Sequence, residues 1–130
     1  MNHFIISKLD KAPKEEYKIH LLNNWVLTLQ GNNYTAYDQD DKKIIIIGDY
    51  IGDEQTLFTT NPNDIPKLRG NFYAIVIDHK ISIYNSFLSI LPIYYSTDNA
   101  YISSSVQYIR NVSHEDFTID KKFILEGLLF

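Results

Sequence analysis

No cysteine occurs in the 130 residues of this chain. That absence excludes disulfides, thiolate zinc sites, CxxC redox chemistry and a cysteine nucleophile, and it is what a reducing compartment permits. The cytoplasm is therefore the expected location. Long hydrophobic runs are also missing: the longest purely aliphatic one, Ile44 to Ile47, is bounded by Lys43 and Gly48, far below the roughly 18 residues of a membrane span. No membrane partner is expected. The N-terminal Met1-Asn2-His3-Phe4-Ile5-Ile6-Ser7 lacks the basic segment and long apolar core of a secretory signal, so no export is expected. Positive charge is in deficit too, with 12 Lys and Arg against 16 Asp and Glu, a net charge of −4. The basic residues are scattered, which argues against binding a phosphate backbone. Nucleic acid is not expected as a partner.

What is present is a globular composition, 45% hydrophobic and 22% charged, in a length that supplies one core without covalent staples. Ten Tyr, seven Phe and one Trp, with many β-branched residues in short runs, favour sheet over helix. Phe4-Ile5-Ile6 reads as a strand and Lys8 to Glu16 as a loop. Tyr17 to Leu29 reads as two strands broken at Asn23-Asn24, and Gly31-Asn32-Asn33 as a turn. A hairpin follows from Tyr34–Tyr37 to Lys43–Ile47, whose four consecutive isoleucines imply burial on both faces. Gly48 to Asp53 reads as a loop, Thr56 to Thr60 as a short extended piece, and Asp64 as the cap of one helical turn reaching Leu68. Phe72 to Asp78 and Ile81 to Tyr84 form a hairpin around His79-Lys80, and Pro92–Ser96 pairs with Ala100–Ser103. Ser104 or Ser105 caps a short helix containing Val106, Tyr108 and Ile109, and Asp120 caps a last helix, Lys121 to Phe130. That last segment is apolar almost all round, so either it docks into the domain or the natural protein continues.

Chemistry is sparse. His3, His20, His79 and His114 share none of the three- to five-residue spacings usual for paired metal ligands, so no metal site is expected. Asp38-Gln39-Asp40-Asp41 fails as a calcium loop, because its sixth position is Lys43 and its twelfth Asp49 where glycine and glutamate belong. Ser103-Ser104-Ser105 lies in no GxSxG elbow, and helix capping accounts for it. No glycine-rich phosphate loop is present. No catalytic residue is assigned.

The order of segments carries more. Leu68-Arg69-Gly70-Asn71-Phe72-Tyr73-Ala74-Ile75-Val76-Ile77-Asp78, then Ile81-Ser82-Ile83-Tyr84, Leu91-Pro92-Ile93-Tyr94-Tyr95 and Tyr101-Ile102-Ser103-Ser104-Ser105-Val106, resemble the N-terminal glutaminase-type domain of asparagine synthetase-like proteins. Those proteins, type 2 glutamine amidotransferases, carry an "L-x-G-x-F-A" strand, a return strand, a "P-L-Y-Y" strand and an "S-S" helix start in that order. Ile46-Ile47-Gly48-Asp49-Tyr50 resembles a worn form of their "N-G-E-I-Y-N" segment, and Phe117 to Phe130 is similar to the stretch leading into their synthetase domain. The resemblance spans most of Lys43 to Phe130. It implies an α+β fold of the Ntn-hydrolase type, two packed, mainly antiparallel sheets, here with reduced helical layers because only Tyr50 to Lys67 stands where the family inserts two helices.

The same resemblance implies lost activity. The family hydrolyses glutamine with an N-terminal cysteine, whereas this chain begins Met1-Asn2-His3 and asparagine supplies no nucleophile. The family's asparagine before the glycine aligns with Ile47, and its "R-D", whose aspartate holds the α-amino group of glutamine, aligns with Asn85-Ser86. Gly48, Asp49, Asn85 and Ser86 are thus the positions of a vestigial binding pocket. The implied role for residues 1–130 is a single degenerate amidotransferase-like domain, a pseudoenzyme without a cofactor. It would serve as scaffold for an ATP- and Mg-dependent amide-forming ligase domain, in the same chain or separate, with natural-product and peptide-maturing ligases included. A thinned helical layer would leave an apolar sheet face for that synthetase domain or for a second copy of the chain. The competing reading is a small β-rich interaction module with tyrosines as contact anchors. A serine hydrolase is the weakest reading.

Overall fold

The computed structural model describes residues 3–14, 16–86, 92–96, 101–113, 119–122 and 128–129. They form an α+β fold made mostly of two antiparallel sheets. The chain divides into two compact units, residues 1–32 with 92–123 and residues 33–91 with 124–130. Among the described residues, no helix is long and apolar enough to cross a membrane.

The first unit holds β1 (His3–Lys8), β2 (Tyr17–His20), β3 (Trp25–Gln30), β8 (Ile93–Ser96), β9 (Tyr101–Ser103) and β10 (Ile119–Lys122), in the sheet order β10-β8-β9-β1-β3-β2. Central β1 pairs with β3 on one side, Ile5 opposite Thr28, and with β9 on the other, Ile5 opposite Ser103. Its run Phe4-Ile5-Ile6-Ser7 is buried at every position, which is why hydrophobicity does not alternate along it. Helix α2 (Val106–Ser113) covers one face, where Tyr108 and Ile109 pack with Ile5 and Tyr101. Ser105 starts that helix as the sequence predicts: its Oγ accepts the backbone N–H of Tyr108 at 3.2 Å, satisfying a donor that has no partner within the helix.

The second unit holds β4 (Tyr34–Gln39), β5 (Lys42–Tyr50), β6 (Gly70–Ile77), β7 (Ile81–Asn85) and β11 (Leu128–Leu129), ordered β11-β7-β6-β5-β4. Ile44, Ile45, Ile46 and Ile47 are all buried, as their uninterrupted run predicts. On one face Ile44, Ile46, Phe72, Ala74 and Val76 pack against Leu57 of α1 (Glu54–Thr59) and Ile65 of a 3-10 turn, Pro62–Lys67. These two short pieces are the whole helical complement between β5 and β6. With Tyr84, Tyr37, Tyr50, Phe58 and Leu68 packed there as well, those five side chains are buried, so the exposed apolar face expected on that side is not found among the described residues.

Four expectations require correction. Gly48-Asp49-Tyr50 is not a loop; it extends β5, opposite Phe72, Asn71 and Gly70. The continuation is possible because Gly48 adopts φ +111° and Gly70 φ +131°, a region that side chains rarely enter. Thr56 to Thr60 is largely helix, not extended chain, because the Asp53 carboxylate accepts the N–H of Thr56 at 2.6 Å and so starts α1 one residue downstream. The 3-10 turn is capped by Asn61, whose Oδ1 accepts from Asn63 N at 3.1 Å, not by Asp64, which pairs with Lys67 at 3.4 Å. Finally, Asp120 caps no helix. Ile119–Lys122 is a strand with Asp120 opposite Tyr95, and Leu128 and Leu129 lie opposite Ile83 and Ser82. The unpaired backbone groups along β8 and β7 take these segments as edge strands, and a sequence apolar all round has no amphipathic stripe to hold it as a surface helix. The remainder of that expected helix, residues 123–127 and 130, lies outside the described residues.

Candidate functional site

The four pocket positions implied by the resemblance lie at one end of the second unit's sheet. β6 separates them into two pairs, Gly48 and Asp49 on β5, Asn85 and Ser86 at the end of β7. The registers are specific. Ile47 lies opposite Tyr73, which lies opposite Asn85, and in the next row Gly48 lies opposite Phe72. Ser86 continues that second row: its N–H donates to Phe72 O at 2.9 Å, and its Oγ accepts the Phe72 N–H at 3.1 Å. A hydroxyl thereby replaces a main-chain carbonyl at the end of the β6–β7 ladder. Two rows thus place Ile47-Gly48 and Asn85-Ser86 at the same level, on either side of β6.

These rows are closed. Ile47, Tyr73, Asn85 and Ser86 are each at most 6% exposed, and the Ser86 hydroxyl is committed to the sheet. A Cβ on Gly48 would stand 2.5 Å from the carbonyl oxygen of Asn71, so backbone fills the space beside it as well. Asp49 alone is exposed, and its Oδ1 accepts from Asn33 Nδ2 at 3.3 Å. Beside it, Tyr50 sets its ring edge against Phe72, centroids 5.8 Å apart at 77°, and its hydroxyl donates to Asp53 O at 2.8 Å. Burial, then the Asp53 and Tyr50 charges' mutual repulsion, raises the Tyr50 phenol above its ordinary range. It stays a neutral hydrogen-bond donor at neutral pH.

The first unit contains a polar cluster that sequence reasoning missed. His3 Nδ1 lies 3.3 Å from Ser104 Oγ, which also accepts the Phe4 N–H at 3.0 Å. Ser103 Oγ donates to Phe4 O at 2.5 Å and accepts the Ser105 N–H at 3.0 Å. One hundred and one residues separate His3 from Ser104, so no local spacing signals the pair; the β1–β9 register makes it. Burial first, and the positive N-terminus second, lower the His3 pKa, favouring the neutral ring. A hydroxyl beside a neutral imidazole holds two parts of a nucleophile–base pair. Among the described residues, however, no carboxylate hydrogen-bonds that ring, and Ser104 is 8% exposed with its hydroxyl tied to Phe4. The cluster joins β1, β9 and the start of α2. Among the described residues, no three His, Asp or Glu side chains gather as a metal site.

Compared with known families and with characterised proteins, the chain matches no family model and no curated protein.

Proposed function

We propose that this chain is a catalytically silent, degenerate glutaminase-like domain of the Ntn-hydrolase type that acts as scaffold for an asparagine synthetase-like, ATP-dependent amide-forming ligase. The observation that carries the reading is the pair of adjacent rows Ile47–Tyr73–Asn85 and Gly48–Phe72–Ser86. Two segments 38 residues apart in sequence, from 47 to 85 and from 48 to 86, each resembling one wall of a glutamine pocket, fall at the same level of one sheet. Both walls have lost the groups that hold glutamine: isoleucine replaces an amide, and a buried hydroxyl replaces a carboxylate.

A ligase whose amine comes from its own substrate has no need of ammonia, so the ancestral site is free to fill with side chains. ATP and Mg would belong to the synthetase domain, and the contribution of this chain would be structural. Incubation with glutamine tests the silence: glutamate release should match a heat-denatured control, and turnover above it overturns the reading.

The rival, a β-rich interaction module, draws support from Tyr17, 61% exposed on the outer strand β2. A single exposed tyrosine makes no contact patch, so we place it second.

A further inference from the structure

We propose that residues 9–14 together with Glu16 form a strap, latched over the tyrosine layer of the first unit by two phenol hydroxyls, that opens without unfolding the sheet beneath. The inference is independent of the scaffold reading. Tyr101, on β9, donates its hydroxyl to the carbonyl of Lys11 at 3.3 Å, and Tyr108, on α2, donates its own to the Glu16 carboxylate. Ninety and 92 residues separate the partners, so both bonds tie the strap to elements distant in sequence.

Little else holds it. None of its described residues is buried, and Leu9, its largest apolar side chain, is 47% exposed. Among the described residues, its other hydrogen bonds are Leu9 N–H to Asn24 O at 2.8 Å, Ala12 N–H to Leu9 O at 3.3 Å, and Lys18 Nζ to Glu16 O at 3.2 Å. The rings that grip the strap are by contrast fixed: Tyr101 and Tyr108 are buried and pack with Ile5 and Ile109. A segment with no buried apolar side chain, fastened to a rigid layer at Lys11 and Glu16, belongs to the low-stability end of a protein's local opening reactions. Opening exposes the hydroxyl edges of both tyrosines while the strands of the sheet remain paired.

Native trypsin digestion of the full chain, with the cleavage sites mapped, tests the latch. In Tyr101→Phe and Tyr108→Phe, cutting after Lys11 should accelerate about tenfold, the effect of losing one hydrogen bond. Cutting after the exposed Lys67 and Lys80 should not change. Equal rates at Lys11 in the parent and both variants would show that the hydroxyls latch nothing. A uniform rise at all three sites would mean global destabilisation, and it too overturns the proposal.

Discussion

The hydroxyl of Ser86 takes the place of a main-chain acceptor for Phe72, receiving its N–H at 3.1 Å while the Phe72 carbonyl receives the N–H of Ser86 at 2.9 Å. Both residues are buried. Ser86→Ala leaves the Phe72 N–H without its acceptor in a place water does not reach, a loss of about 1–3 kcal/mol. Urea unfolding should show a lower midpoint at an unchanged slope.

Gly48 sits opposite Phe72 with φ +111° and a backbone oxygen where a side chain would begin. Gly48→Ala combines an unfavourable dihedral with a collision against Asn71 O. It should destabilise the chain by about 1–3 kcal/mol or more, whereas Ala at the exposed Asp49 should change stability by about 0.5 kcal/mol or less. The contrast, measured by thermal unfolding, separates backbone need from side-chain need at neighbouring positions.

Thr28, buried on β3 opposite Ile5, has a hydroxyl with no hydrogen-bond partner among the described residues. Thr28→Val keeps the shape and removes that desolvated oxygen. A gain of about 1 kcal/mol in unfolding free energy is expected; a loss of similar size would contradict it.

Tyr108 should ionise only well above the usual tyrosine range. Burial pushes its phenol far above the ordinary range, and the Glu16 carboxylate adds to this, first by accepting a hydrogen bond from the neutral phenol and then by repelling the phenolate. The folded value lies above the unfolded value of about 10, so the stabilisation is fully present below that pH. It is lost as pH rises toward the folded value, because unfolding releases the proton. Ultraviolet phenolate titration should show a late component that coincides with alkaline unfolding and is lost in Tyr108→Phe.

Strands proved legible wherever hydrophobic pattern and turn residues agree. The Phe72–Ile77 and Ile81–Asn85 hairpin closes at Asp78-His79-Lys80, where Asp78 Oδ1 accepts the Lys80 N–H at 3.1 Å. What misled was glycine and local context. Gly48 looks like a strand breaker but serves a close approach to Asn71, and Thr56 to Thr60 has β-forming residues overridden by the Asp53 cap. Leu128 and Leu129 read as helix because an edge of β7 that receives them is invisible locally. At the candidate site, the resemblance named Gly48, Asp49, Asn85 and Ser86, but the closing of their rows by Tyr73 and Phe72 depends on three-strand register. The His3–Ser104 pair depends on register alone.

The central claim, a silent domain that serves an amide ligase, is tested most directly by reconstitution. A synthetase bearing the "S-G-G-x-D-S" pyrophosphate loop and encoded in the same reading frame or beside it would be prepared with and without residues 1–130. The proposal predicts stable association, and ATP-dependent amide formation that falls when this chain is removed and never depends on glutamine. Full synthetase activity without the chain and no association between the two, or amide formation that requires glutamine, would contradict it.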